Sequence, residues 1–157
     1  MHLGVAILIS IAAVLATSLG GQFFTNRSVK SPWYDCIKPR ITPPAIVFPI
    51  VWTTLYILIA IAFARILLRN DRITIAIFAF NLILNVLWCY LYFAIKKPIA
   101  AVPVILAILG TTLLIQWRSR SDRIVVGLLA PYALWISFAS LLNILSAIKA
   151  SNNCKNN

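Results

Sequence analysis

Residues 32–56 read PWYDCIKPRITPPAIVFPIVWTTLY, and the place where this stretch turns from proline-rich to apolar decides where the chain enters a helix. It holds two of the five tryptophans, two of the five tyrosines and five of the eight prolines. Each proline fixes its own φ and pushes the preceding residue towards extended geometry, so Lys38-Pro39 and Pro43-Pro44 hold a shaped loop at low entropic cost. A helix begins only after Pro44. From there Phe48, Trp52 and Tyr56 recur at four-residue spacing and put three rings on one broad face.

The chain around this stretch is a series of long apolar runs. Of its 157 residues 62% are hydrophobic and 11% charged, with a mean hydropathy of +0.95. A soluble domain carries roughly 45–50% apolar and about 25% charged residues. The fold class that follows is all-α: an integral membrane bundle of five transmembrane helices, with spans at about 3–24, 45–68, 73–95, 99–117 and 124–148. Residues 1–149 form one domain, and 150–157 read as a polar, disordered tail. The first run is about 33 Å long as a helix and has no Lys or Arg before it, so it reads as a retained span and not a signal peptide.

Fourteen Lys and Arg against three Asp and Glu give a formal charge of +11. The cations sit in short loops between spans and cannot form one groove for a polynucleotide, so nucleic acid is not expected as a partner; contact with lipid headgroups is. Lys38 and Arg40, beside the aromatic loop, are placed to attract the carboxylates of an anionic ligand. Arg65, one turn from the end of the second span, reads as snorkelling to the interface. Eight cations (Arg27, Lys30, Lys38, Arg40, Lys96, Lys97, Lys149, Lys155) fall on the side of the proline-rich loop and the C-terminus, against five (Arg69, Arg72, Arg118, Arg120, Arg123) opposite. That bias puts the loop and C-terminus in the cytoplasm.

Several chemistries lack their residues. The three cysteines, Cys36, Cys89 and Cys154, are scattered, with no C-x-x-C pair and no disulfide framework, and the sole histidine is His2. A histidine-ligated metal or a Ser-His-Asp triad is therefore not expected, and no cofactor is required. Asp35, Asp71 and Asp122 all fall in loops, which leaves no carboxylate within a span for a proton relay.

Within the spans, stripes of residues mark inward faces. Ala6, Ser10, Ala13, Thr17 and Gly20 form a small-residue stripe that suits close helix packing or leaves room for something flat. Asn81, Asn85, Trp88 and Tyr92 share one face of the third span, and amides at membrane depth need partners within the bundle. Ala100, Ala107, Gly110 and Thr111 supply small positions in the fourth span. Pro131, Trp135, Phe138 or Ala139, and Leu142 follow a helical stripe in the fifth. Trp33, Tyr34, Trp52, Tyr56, Trp88 and Trp135 then either line one cavity beneath the loop, suited to a flat hydrophobic ligand, or act as interfacial anchors.

The motifs Trp33-Tyr34, Lys38-Pro39, Pro43-Pro44, Phe48-Pro49, Val51-Trp52-Thr53 and Leu55-Tyr56 resemble, in order and spacing, the signature of the translocator protein family, the tryptophan-rich sensory proteins also called peripheral benzodiazepine receptors. Asn81-Leu82, Asn85 and Trp88 are similar to the family's third span, and Pro131-Tyr132, Trp135, Phe138-Ala139 and Leu142-Asn143 to its fifth. The resemblance implies five helices, often a homodimer, and a pocket beneath the first loop for a porphyrin or haem, with a sterol or synthetic drug in some members. It marks Trp33, Tyr34, Lys38, Arg40, Trp52, Tyr56, Asn85, Trp88 and Trp135 as ligand-binding candidates. It also implies an alternative, light-dependent porphyrin degradation with Trp52 and Trp135 as reactants; a membrane scaffold with incidental ligand binding is a third reading. The chain departs from the family at Ile41, at Ile59-Ala60, near Pro98 or Ile99, and at Ile144, where tryptophan, Met-Gly, tryptophan and the sterol-motif tyrosine are expected.

Overall fold

The computed structural model describes residues 1–26 and 28–153, for 152 and 153 the backbone alone. Arg27 and Lys155, both counted in the charge bias above, lie outside the described residues. The described chain is helical: α1 (Leu3–Thr25), α2 (Pro32–Ile37), α3 (Val47–Arg69), α4 (Arg72–Cys89), α5 (Pro98–Arg118) and α6 (Arg123–Asn153). Five of these are long and apolar enough to cross a membrane, the α4 span running on to Ala94. α6 continues to Asn153, so residues 150–153 of the stretch read as a tail are helical; 154–157 lie outside the described residues.

The five long helices close into a ring in the order α1, α3, α6, α5, α4. Across it α3 and α4 meet where Phe63 stacks on Phe78, with centroids 4.5 Å apart and planes at 12°. Polar groups buried at membrane depth are satisfied between helices, as the sequence required. The Asn81 side-chain amide donates to the Ile108 carbonyl (3.0 Å) and to Thr111 and Thr112 Oγ1 (2.7 and 3.0 Å) on α5. Asn85 donates to the Tyr132 hydroxyl of α6 (2.6 Å), which donates in turn to Asn81 Oδ1 (3.0 Å).

The small-residue stripes need adjustment. On α1 the buried face is Ala6, Ser10, Val14, Thr17 and Gly21, with Ala13 and Gly20 half-buried. A Cβ on Gly20 would lie 3.2 Å from Val86 Cγ1, so this glycine sets the approach of α1 to α4. On α5 Ala100 and Gly110 are exposed, and the inner face is carried by Ala101, Ile105, Ile108, Thr112 and Ile115. Cys36 takes part in a disulfide, against the expectation drawn from the scattered cysteines, and Cys89 is a free thiol.

At the end formed by the α3–α4 and α5–α6 turns, both aspartates cap helices and hold arginines. Asp71 caps α4, accepting from the Thr74 backbone N–H (3.2 Å), and pairs with Arg118 (3.3 Å). Asn70 makes the turn before it with φ 56°, a left-handed conformation asparagine tolerates. Asp122 accepts from the Ile124 and Val125 N–H groups at the start of α6 and pairs with Arg65 (3.2 Å) and Arg69 (3.6 Å). Arg65 is thus held by a partner and does not merely snorkel.

Candidate functional site

The opposite end is built by the proline-rich stretch. Ser31 caps α2, accepting the Tyr34 N–H at 3.3 Å, with Pro32 in the first helical turn. Residues 32–37 are thus helical and not part of a loop that runs to Pro44, because Ser-Pro ahead of Asp35 is a helix-start signal. Pro39 ends the turn, and Thr42, Pro43 and Pro44 lead into α3.

The end of the third span supplies the other wall. α4 passes into one π-helical turn, Tyr90–Ala94, with the Ile95 N–H donating to the Tyr90 carbonyl at 3.1 Å. A π turn carries one extra residue, and here the neighbours Tyr92 and Phe93 are both buried. Ser28 Oγ from the loop donates to the Phe93 carbonyl at 2.7 Å, joining roof to wall. Tyr34 packs on Phe93 (centroids 6.0 Å).

Between roof and helices lies a cavity of about 900 Å³, bordered by α1, the loop, α3, α4 with its π turn, and α6. Tyr34, Lys38, Arg40, Trp52, Tyr56, Asn85, Trp88 and Trp135 all border it. Trp52 lies beside Tyr56 (5.4 Å) and edge-on to Tyr132 (6.5 Å), and Trp135 is edge-on to Phe48 (5.8 Å). Trp88 is fixed through its indole N–H, which donates to Asn143 Oδ1 at 2.8 Å; Asn143 donates to the Pro98 carbonyl at 2.8 Å. Trp33 is the exception. It packs edge-on to Tyr92 (6.2 Å), with the Lys96 ammonium 5.7 Å from its ring centre, behind the wall and outside the cavity lining. Ile41, where the resemblance leads one to expect tryptophan, is 51% exposed and likewise outside the lining.

The polar groups of the cavity gather at the roof. Lys38 pairs with Asp35 at 2.6 Å, and Lys149 from the end of α6 donates to the Lys38 carbonyl at 2.8 Å. Lys30 and Arg40 also border the cavity and make no ion pair among the described residues. Burial, and secondarily the Asp35 charge, raises the pKa of the Tyr34 phenol above its ordinary value, so it remains a neutral hydroxyl. The Thr42 hydroxyl is buried on this wall with no hydrogen-bond partner among the described residues.

Gly21, Thr25, Thr42, Phe48, Cys89 and Ala139 border the cavity without having been singled out as candidates. Gly21 is not in the α1 small-residue stripe, which ends on its neighbour Gly20, but it follows Thr17 of that stripe by four residues. Ala139 lies on the fifth-span stripe that carries Trp135, whereas Cys89 only adjoins Trp88 in sequence and nothing in its residue type marks it.

Comparison with known proteins agrees with this architecture. Residues 8–147 match the model of the TspO/MBR family. The chain is 39% identical over 143 residues to a tryptophan-rich protein TspO of Archaeoglobus fulgidus, covering 85% of this chain and 90% of that one. It is 32% identical over 139 residues to the protein of the same name in Chlorobaculum tepidum, covering 85% and 88%. To protein CrtK of Rhodobacter capsulatus it is 31% identical over 125 residues, covering 71% and 74%.

Proposed function

Since the chain belongs to the TspO/MBR family, we propose that it binds a planar hydrophobic ligand in the roofed cavity, a tetrapyrrole such as a porphyrin or haem in preference to a sterol. The observation that carries this reading is the division of the cavity wall. Its depth is lined by Trp52, Tyr56, Trp88 and Trp135, and its roof carries Lys30, Lys38 and Arg40 against the single acid Asp35. A flat macrocycle with carboxylates on one edge matches both parts; a sterol, with one hydroxyl, leaves the cations unused. The volume of about 900 Å³ lies at the large end of small-molecule sites, which run to roughly 1,000 Å³. Thr42 and Tyr34 add neutral hydroxyls at the same edge.

Titration with protoporphyrin tests the proposal. Tryptophan fluorescence is expected to fall saturably, and Trp52→Phe with Trp135→Phe to weaken the effect, while cholesterol competes poorly. Quenching that is linear in porphyrin and indifferent to both substitutions reduces the interaction to partitioning into the lipid phase.

A second reading rests on Trp52 and Trp135 bordering the same cavity: under light, a photoexcited bound porphyrin takes one electron from an indole, leaving an indole radical cation and a porphyrin radical anion, and dioxygen from air is the oxidant that then degrades the macrocycle. Loss of porphyrin absorbance under light, abolished by Trp135→Phe with dark binding retained, separates this from binding alone.

A further inference from the structure

At the end of the bundle away from the cavity, Arg65, Leu68 and Arg69 share one face of α3 and meet Ser121, Asp122, Arg123 and Ile124 around a cleft of about 610 Å³. Three arginines and one aspartate border the cleft. Asp122 has its side chain only 10% exposed and forms the floor, engaging Arg65 and Arg69, whose side chains are each 41% exposed. Arg69 also donates to Ser121 Oγ at 2.9 Å. Arg123 makes no ion pair among the described residues. A guanidinium carries five donors in a fixed fork, and those of Arg65 and Arg69 that Asp122 and Ser121 engage are a minority of the trio's donors. The α6 amides nearest the cleft are already answered by Asp122, so the helix N-terminus is not the source of the attraction.

We propose that this cleft is a binding site for the phosphate of an anionic phospholipid. The excess of two positive charges over Asp122 calls for an anion, and paired guanidiniums suit tetrahedral oxyanions through bidentate hydrogen bonds. Position selects the source. The cleft sits where two membrane spans end and begin, at the depth of headgroups, and its rim includes Leu68 and Ile124, 39% and 55% exposed, against which acyl chains can lie. Around it the same face carries Arg72 and Arg120, the latter with its guanidinium 5.3 Å from the centre of the exposed Trp117 ring. These add general attraction to an anionic surface, whereas the cleft provides a seat for one phosphate.

The full-length protein in neutral detergent micelles provides the test, with phosphatidylglycerol and phosphatidylcholine of identical acyl chains added separately. Lipid retention is read by native mass spectrometry and thermal shift by unfolding. Phosphatidylglycerol is expected to be retained stoichiometrically and to raise the melting temperature, and phosphatidylcholine to do neither. Arg69→Gln with Arg123→Gln is expected to lower phosphatidylglycerol affinity by on the order of tenfold or more, whereas Arg72→Gln with Arg120→Gln, which removes equal charge outside the cleft, leaves it within about twofold. Arg123→Gln alone breaks no ion pair, so it is expected to fold and to weaken binding severalfold if the double variant proves too unstable to assay. Equal retention of the two lipids, an equal loss in the control pair, an unchanged affinity in Arg123→Gln, or a shift reproduced by millimolar inorganic phosphate each overturns the proposal; the last assigns the cleft to a free anion instead.

Discussion

The two ends of the bundle solve the same problem by different means. Where α3 meets α4 and α5 meets α6, short turns bring helix ends together and ion pairs fix them: Arg65 and Arg69 on Asp122, Arg118 on Asp71. At the other end a long connection joins α1 to α3, and the structure relies on proline, a short capped helix, a π turn and ring packing, with Lys38–Asp35 as its ion pair among the described residues. Charge pairs draw the helix ends together and leave a cleft at the surface and not a roofed chamber. Stiff backbone and rings hold helices apart and leave a cavity of about 900 Å³. α3 joins the two regimes, since Trp52 and Arg65 lie thirteen residues apart on it, about 20 Å along the helix. That distance makes stability and ligand binding separable.

Asp122→Ala gives the largest expected effect. It removes two ion pairs and the cap of α6, and leaves Arg65 and Arg69 facing each other. Both arginines are 41% exposed, so solvent screening limits the pair contribution, and the combined loss is about 2–3 kcal/mol. Melting temperature in detergent should fall while porphyrin affinity stays within about twofold. A parallel collapse of binding breaks the comparison, because the ends are then not independent. Acid should mimic the substitution. For Asp122, burial pushes the pKa up, but the Val125 N–H and the Arg65 guanidinium outweigh it and the net shift is down. The Asp71 carboxyl is lowered chiefly by hydrogen bonds from Thr74, with Arg118 assisting. A depressed folded pKa means stability that is fully present above the unfolded value, about 3.9, and is lost as pH falls through the folded one. Wild type and Asp122→Ala are thus expected to differ in melting temperature at neutral pH and to converge below about pH 4.

The cavity end was the more legible of the two in some respects and the less in others. The five spans could be read because hydropathy at this level leaves few alternatives, and the inward face of α4 because Asn81 and Asn85 could not face lipid. The ring pairing of Trp52 and Tyr56 followed from helical spacing alone. Trp33 could not be placed this way. Tryptophan-tyrosine neighbours on a short helix point in different directions, and which of the two turns to the cavity depends on the π turn that buries Tyr92 and Phe93 together, a register change with no residue-type signal. The clamp at the other end escaped the reading for a related reason. Arg65 is 57 positions from Asp122, and no local pattern announces a partner so far along the chain.

Asn81→Leu probes the seam between the regimes. The substitution removes the acceptor of the Tyr132 hydroxyl and the three donations to α5, while Asn85 still donates to Tyr132. Interhelical hydrogen bonds in lipid average about 0.6 kcal/mol and reach about 1.7, so a loss of about 1 kcal/mol is expected. Because Tyr132 packs edge-on to Trp52 at 6.5 Å, its release should also weaken porphyrin binding severalfold, measured by quenching. Destabilisation with unchanged binding limits the network to holding helices and moves the boundary of the cavity regime away from it.

The smallest effect, and the sharpest discrimination, comes from one methyl group. A Cβ added at Gly21 would lie 3.3 Å from Cys89 Sγ and 4.0 Å from the Tyr56 hydroxyl, all three residues bordering the cavity. The thiol must shift by a few tenths of an ångström, and the methyl then occupies space the ligand would use. Alanine is the better helix former by about 0.8–1.0 kcal/mol, which offsets the crowding, so melting temperature should hardly move. Binding should weaken by about fivefold, the low end of the roughly 1–3 kcal/mol that one methyl group is worth in an apolar pocket. Gly4→Ala supplies the reference, since nothing lies within 4 Å of its added Cβ: it gains the helix propensity without the crowding. If Gly21→Ala binds as well as Gly4→Ala, then α1 is not a wall of the ligand site, and the space beneath the proline-rich roof is an unused gap left by packing.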